Sequence, residues 1–369
     1  MKKILVIATV YRCGEKMYPI IPHLCKENEV DVLMFNQMSC NTPWYGDRDP
    51  RFQFYEDCKK WGANVIQGPS HKEVNNNFRK GKAMSRHVNE KKYDLIILDD
   101  NKVKAGWGTP SLCQHMRSLG NKVIGSPHGN TEFDLYGLDN KINDILDYSF
   151  VFGNKEKTDL IKGKNNSRLI PAGIPSNDYL KNYSRGNKYI LVFVSYVQGN
   201  NAQKKNKNGY EPFTEDTFLN SGLLEIQRRE GLPIIIKEKS RFKEGLEYSL
   251  KHLEKYDGVS VIMDHESNDK LIAWSKFVVA APSTLAFKSI QMGIPTVLLK
   301  NFGMTGNFDD FDGLSNLDSL SVQKKLYNQV ENGRCYDFID DTLSGGLNFN
   351  STEIHLKSIQ EILDGRTEF

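Results

Sequence analysis

The sequence predicts an α/β chain built as two parallel-sheet domains facing each other across a cleft. Three observations predict it. Short, wholly apolar runs alternate with helical segments throughout, as strands buried on both faces of a parallel sheet alternate with their crossover helices. That alternation breaks once, near the middle, and then restarts. The length of 369 residues also exceeds one ordinary core.

Lys3–Val10 (KILVIATV) reads as the first buried strand and runs into Tyr11–Lys16, followed by a helical stretch to about Cys25. Val30–Asn36 and Asn64–Gln67 are the next strands, with a helix at Arg51–Trp61 between them. Lys72–Glu90 is polar and reads as helical. Tyr93–Asp99 (YDLIILD), Lys122–Ser126, Tyr148–Gly153 and Arg168–Ala172 follow as strands, with a helix at Ser111–Leu119. Between Gly173 and Asn187 (GIPSNDYLKNYSRGN) the pattern stops in a polar segment bearing Pro and Gly, read as the interdomain linker. The division expected is residues 1–175, a linker at 176–187, a second domain at 188–350, and a last helix at 351–369 that packs back on the first domain.

The second half repeats the theme. Lys188–Tyr196 (KYILVFVSY), Leu232–Lys237, Val259–Met263, Phe277–Ala281 and Thr296–Leu299 read as strands. Thr214–Glu230, Ser321–Glu331 and Thr352–Leu363 read as helices. Within Phe277–Leu299 (FVVAAPSTLAFKSIQMGIPTVLL), Pro282 ends a strand and Ser283 or Thr284 caps a helix. Leu285, Ala286, Ser289, Ile290 and Gly293 share one face of that helix, Gly293 suits its end, and Pro295 blocks its continuation. A helix N-terminus beyond a strand's carboxyl end, with free N–H groups and two hydroxyls, is a place for an anion, above all a phosphate.

Composition narrows the class. Hydrophobic residues at 39% and charged residues at 26% are those of a globular protein. A net charge of +3 is too mild to imply a nucleic-acid partner by itself. The six cysteines show no CxxC pairing or metal spacing, which fits reduced thiols and a cytoplasmic location. No apolar run reaches membrane-spanning length. Walker, GxGxxG, GxSxG and HExxH patterns are absent, and the turn Tyr11–Lys16 has one glycine, which argues against an ordinary dinucleotide site.

What remains is an anion site and a set of proton-handling groups. Lys237, Lys239 and Arg241 stand at the carboxyl end of one strand, and Ser283 and Thr284 at the matching end of another, so parallel strands bring both groups to one sheet edge. In the first half, Ser126-Pro127-His128-Gly129-Asn130 follows a strand directly and places His128 as a general base. Asp99 and Asp100, ending the strand Tyr93–Asp99, are alternative bases. Glu15 and Lys16 are possible acceptor contacts. His115 reads as structural, and His23, His71, His87, His252, His265 and His355 offer no functional reason for selection. Asp310-Phe311-Asp312 has DxD spacing but falls on a loop, so no metal site is expected.

With these residues in hand the chain resembles the GT-B glycosyltransferases, which have two Rossmann-like domains with the donor nucleotide on the C-terminal one. Ser283-Thr284…Gly293-Ile294-Pro295 matches the donor-site pattern of that superfamily. Within it, His128-Gly129 and Gly173-Ile174-Pro175-Ser176-Asn177-Asp178 are similar to CDP-glycerol glycerophosphotransferase-like enzymes and related capsule or teichoic-acid transferases. The chain departs from them in three places. Lys288 replaces a carboxylate that commonly holds the donor ribose, Lys237-Glu238-Lys239-Ser240 replaces Lys-x-His-Pro, and Ser176 replaces a basic residue.

The resemblance implies a metal-independent, inverting transferase using a nucleotide-diphosphate sugar as co-substrate, with no further cofactor. Ser283, Thr284 and Lys239, helped by Lys237, Arg241 and Lys288, would hold the diphosphate, while His128, Asp99 or Asp100 would deprotonate the acceptor hydroxyl. The acceptor is left open among a glycan, a polyol-phosphate polymer and nucleic acid, the last because Lys204-Lys205-Asn206-Lys207 lies near Tyr210 and Phe213. The oligomeric state is also open. Rival readings are a CDP-glycerol-type polyol-phosphate transferase, a DNA-modifying glycosyltransferase, and a non-catalytic nucleotide or polymer-binding module. A nucleotide-sugar 2-epimerase is a further rival, although the His-x-Glu-type signature of that family is not apparent here.

Overall fold

The computed structural model describes residues 1–8, 17–36, 50–70, 93–98, 109–127, 146–162, 168–194, 211–238, 250–262, 267–303, 305–332 and 336–369. They form two compact units. One takes the described residues of Met1–Asn41 and Arg48–Asp178 together with Asp340–Phe369, and the other holds those of Tyr179–Ile339.

In the first unit the elements are β1 (Lys3–Ala8), α1 (Ile21–Glu27), β2 (Glu29–Asn36), α2 (Pro50–Lys60), β3 (Asn64–Ser70), β4 (Leu95–Leu98), α3 (Thr109–Ser118), β5 (Lys122–Gly125), β6 (Tyr148–Val151), α4 (Asn154–Lys162) and β7 (Arg168–Pro171). The seven strands run parallel in the order β3-β2-β1-β4-β5-β6-β7. Ile4–Ile7 and Leu95–Leu98 are buried without interruption, which is why these strands carry no polar alternation. Order reverses beside β1, so the carboxyl ends of β1 and β4 flank a switch point.

In the second unit they are β8 (Tyr189–Val194), α5 (Glu215–Asn220), α6 (Leu223–Glu230), β9 (Ile234–Glu238), a 3-10 turn at Leu250–Lys255, β10 (Val259–Ile262), α7 (Asn268–Trp274), β11 (Ser275–Ala280), α8 (Thr284–Gln291), β12 (Thr296–Leu299), β13 (Leu314–Ser315) and α9 (Ser319–Asn332). The sheet order is β10-β9-β8-β11-β12-β13, all parallel, with its own reversal between β8 and β11. One face packs Val192, Ile236, Val279 and Val297 against Phe218 and Ile226 of α5 and α6 and Val322 and Leu326 of α9.

The single helix expected over Thr214–Glu230 is two. Gly222 sits at φ 72, and a Cβ there would fall 2.2 Å from Ser319 Oγ, so the chain turns at Ser221-Gly222 to let α9 approach. The linker segment is also more ordered than its composition suggests, forming a 3-10 helix at Pro175–Asn182. The helix expected at Lys72–Glu90, Glu15, Lys16 and the basic loop around Lys204–Lys207 lie outside the described residues.

After α10 (Tyr336–Thr342), α11 (Ser351–Leu363) completes the first unit. Its first N–H groups are capped from a distant part of the chain. Ser351 and Thr352 N–H donate to the two carboxylate oxygens of Asp178 at 3.0 and 2.6 Å, which meets donors that the helix itself leaves open. His355, fully buried on α11, packs its ring against that of Phe150, with centroids 4.1 Å apart and the planes tilted by 42°, and donates from Nδ1 to the Ser351 carbonyl at 2.8 Å. The proton is on Nδ1 because a carbonyl only accepts.

Burial lowers the His355 pKa to about 4 from its ordinary value. An unfolded chain therefore takes up a proton between pH 6.5 and about 4 that the native state refuses, and stability falls as pH drops through that window. The full penalty is about 3 kcal/mol at a cost of about 1.4 kcal/mol per unit. Denaturant titrations at pH 7 and pH 5 should show about 2 kcal/mol of this loss, the rest following as the pH falls below about 4, and His355→Gln, which does not titrate, should remove its share of the slope.

Two described cysteines, Cys25 and Cys58, are free thiols, pushed up by burial to about 11 and about 12. They are inert packing groups at neutral pH. Among the described residues no helix is long and apolar enough to cross a membrane.

Candidate functional site

The carboxyl edge of the six-stranded sheet can be read directly from its register. Ile262, Lys237, Phe193, Ala280, Leu298 and Leu314 stand side by side across it. Lys237 and Ala280 are two strands apart, roughly 10 Å, with the β8/β11 switch point between them. The matched strand ends inferred from sequence thus meet at one edge.

Beyond Ala280 the chain leaves the sheet through Ala281 and Pro282. Ser283 is extended (φ −158, ψ 164) and starts α8 as its N-cap, yet its side chain makes no capping bond and the first turn holds no acidic residue. Ala286 N–H donates to the Ser283 carbonyl at 2.9 Å, and the N–H groups of Thr284 and Leu285, at the positive end of the helix dipole, are left to partners outside the helix. Ser283 and Thr284 are both half-buried. The far end of the helix closes on itself: Gly293 N–H donates to the Ile290 carbonyl and Ile294 N–H to the Ser289 carbonyl, both at 2.9 Å, before Pro295 and β12.

The buried face of α8 is broader than its small-residue pattern implied. Ala286, Ser289 and Ile290 are buried as expected, but Phe287 is fully buried too, its ring 4.4 Å from that of Phe308. Leu285 and Gly293 are only half-buried. Ser289 Oγ accepts from Thr296 Oγ1 at 2.9 Å and donates to the Ala286 carbonyl at 2.9 Å, which ties α8 to β12.

Each cation expected here has its own placement. Lys237 is at the end of β9 and only 4% exposed, while its neighbour Glu238 accepts the Leu250 N–H and fixes the next 3-10 turn. Lys288 makes an ion pair with Asp269 in the first turn of α7. The position where the sequence resemblance leads to the expectation of a carboxylate thus has a lysine whose charge is met by a carboxylate from the adjacent helix. Sequence reasoning missed Asp269, because nothing in the polar run Glu266–Lys270 marks it out. Lys239 and Arg241 lie outside the described residues.

A small apolar depression lies at the ends of β8, β11 and β12, bordered by Phe193, Val194, Phe213, Ala281, Leu299 and Phe302. In the Asp310-Phe311-Asp312 triplet Phe311 is buried, and Asp312 pairs with Lys325 at 2.8 Å. Among the described residues no group of His, Cys, Asp and Glu could hold a metal ion.

In the first unit, β4 and β5 are adjacent, and Ser126 N–H donates to the Leu98 carbonyl at 2.9 Å. The described chain stops at Leu98 and at Pro127 on that edge, and Asp99, Asp100 and His128 lie outside the described residues. His115 is exposed on α3.

No protein-family model and no curated protein matches the sequence. Solved structures match it along almost its whole length. A candidate UDP-N-acetylglucosamine 2-epimerase from Listeria monocytogenes superposes with a TM-score of 0.67 at 11% identity, covering 99% of this chain and 97% of that one. The Neisseria meningitidis UDP-GlcNAc 2-epimerase bound to UDP-GlcNAc gives 0.64 at 13%, covering 97% and 100%. Anabaena Alr3699/HepE in complex with UDP and glucose gives 0.57 at 12%, covering 99% and 100%. None of these names supports the CDP-glycerol-type subtype drawn from His128-Gly129 and the Gly173–Asp178 motif. At such identities the likeness is one of fold, and the two parallel α/β units of this chain are those of the GT-B-like architecture.

Proposed function

We propose that this chain is an enzyme acting on a nucleotide-diphosphate sugar, with UDP as the nucleotide, and that its reaction is inversion at C2 of the sugar. The observation that carries the nucleotide-binding part is the uncapped N-terminus of α8 beside the β8/β11 switch point. A diphosphate there receives backbone N–H groups and the hydroxyls of Ser283 and Thr284. Lys237 and, from the following segment, Lys239 and Arg241 add positive charge at the same strand end. Lys288 acts through Asp269 rather than on phosphate directly. His128, Asp99 and Asp100 are the groups proposed to move protons, since imidazole and carboxylate suit that task. The choice of inversion over glycosyl transfer is supported by the naming of the Listeria and Neisseria folds as 2-epimerases.

Glycosyl transfer is the second reading. The Anabaena structure favours it, because UDP and glucose are separate molecules there. The two reactions part in heavy water. A C2 epimerase given UDP-GlcNAc alone replaces the C2 hydrogen with deuterium from solvent, and NMR should show that exchange with no acceptor present. A transferase leaves C2–H untouched and releases UDP only when an acceptor hydroxyl is supplied. Absence of both outcomes, with UDP still bound, would reduce the protein to a nucleotide-binding module.

A further inference from the structure

The apolar depression at the carboxyl ends of β8, β11 and β12 has no means of holding a phosphate, because none of its described lining side chains can donate a hydrogen bond. It is partly open, and it lies at the edge where open α/β sheets place their ligands. Its walls are braced. The rings of Phe213 and Phe302 pack with centroids 5.6 Å apart. The segments that carry them are joined by the Glu211 N–H, which donates to the Asn301 carbonyl at 2.8 Å, while Asn301 Oδ1 accepts from the Leu317 N–H at 3.0 Å. Its closeness to the start of α8 follows from the chain itself. Ala281 lines the depression and Ser283 is the N-cap of α8, so their Cα atoms are at most about 7 Å apart. Phe302, also in the lining, returns to the same place, since a Cβ on its neighbour Gly303 would meet Pro282, the residue between Ala281 and Ser283, at 3.5 Å.

We infer that this depression is the subsite for the methyl of an N-acyl group on C2 of the sugar, an assignment that rests on the proposed function. A diphosphate at Ser283 leaves the C2 substituent only a few bonds away, within reach of Ala281. Apolar side chains cannot pair a sugar hydroxyl or the imide edge of a base, either of which would give up its hydrogen bonds to water on entry. A methyl group gives up none and gains from burial. Alanine at 281 leaves space that a larger side chain would fill, so the same residue sets how long an acyl chain fits.

Calorimetric titration of UDP and of UDP-glucosamine carrying an N-formyl, N-acetyl or N-propanoyl group tests this, because the three sugars differ only in carbon added to the acyl end. The native chain should bind the acetyl form about fourfold or more tighter than the formyl form, the effect of burying one carbon, and the propanoyl form no tighter than the acetyl. Ala281→Val should abolish the acetyl preference while UDP affinity stays within about twofold. Val194→Ala, which enlarges the depression, should make the propanoyl form the tightest, by about fourfold over the acetyl, and decides the matter if Ala281→Val does not fold. Equal binding of formyl and acetyl forms by the native chain, an acetyl preference kept in folded Ala281→Val, or an unchanged order in Val194→Ala would each overturn the assignment. If the native chain bound neither UDP nor any of the sugars, the nucleotide-sugar reading itself would fall, a distinct outcome.

Discussion

Ser283→Asp is expected to fold as stably as the native chain and to weaken nucleoside-diphosphate binding at least about hundredfold. The stability half follows from position. Ser283 is the N-cap of α8 and already has extended backbone angles, and aspartate is as good a residue there as serine. The added carboxylate also meets the positive end of the helix dipole. The binding half follows from charge. An aspartate occupies the place of the ligand, capping the N–H groups that a diphosphate would use. Two unit negative charges about 4 Å apart near a protein surface repel by about 4 kcal/mol, which exceeds the roughly 2.7 kcal/mol needed for a hundredfold loss. Thermal melting and UDP titration on the same sample measure both halves. Unchanged UDP affinity in a folded Ser283→Asp protein would remove the diphosphate from α8.

Gly173→Ala should destabilise the protein by about 3 kcal/mol or more, read as a lower denaturant midpoint with an unchanged slope. Two costs add. Gly173 lies at φ 74, where an L side chain is strained, and its Cβ would fall 2.1 Å from the Ser344 carbonyl oxygen and 2.4 Å from Ser351 Oγ. Gly62 is the control, with φ 93 and nothing within 4 Å of its Cβ, so Gly62→Ala should cost only about 1 kcal/mol. A similar loss in both would mean that backbone strain alone, and not the approach of residues 344–351, makes Gly173 necessary.

That contrast bears on what the motif Gly173–Asp178 does. In the sequence it resembles a signature of transferases, and it reads there as a segment preceding a linker. In the structure Gly173 admits the Ser344–Ser351 backbone, the Pro175 carbonyl accepts from Thr352 Oγ1 at 3.4 Å, and Asp178 caps α11. The motif seats a helix from the other end of the chain, a structural task that sequence spacing alone could not disclose.

The strands were legible because parallel strands buried on both faces are apolar along their length. Thr296–Leu299 matches β12 residue for residue, the other expected strands shift by one to three residues at one or both ends, and the two-residue β13 was not foreseen. The N-terminus of α8 was legible for a similar reason, since Pro282, Ser283, Gly293 and Pro295 are local punctuation. Long-range partners were not. Nothing near Lys288 points to Asp269, nothing near Asp178 points to Ser351, and His355 looked ordinary until α11 buried it against Phe150. The break at Ser221-Gly222 was hidden for the same reason, because it exists to admit α9 from almost a hundred residues away.

The cap that Asp178 places on α11 also sets an order of assembly during synthesis. Residues Asp340–Phe369 belong to the unit begun at Met1, but roughly 160 residues separate them from Asp178. At about 5–20 residues per second a ribosome needs on the order of 10–30 s to cover that gap. Throughout it, Gly173 and Asp178 stand without the helix they serve, while the strands of Tyr179–Ile339 emerge and are free to close first. The earlier-begun unit is thus the later-finished one, and a nascent chain arrested before Ser351 should carry a protease-resistant second unit and a protease-sensitive first.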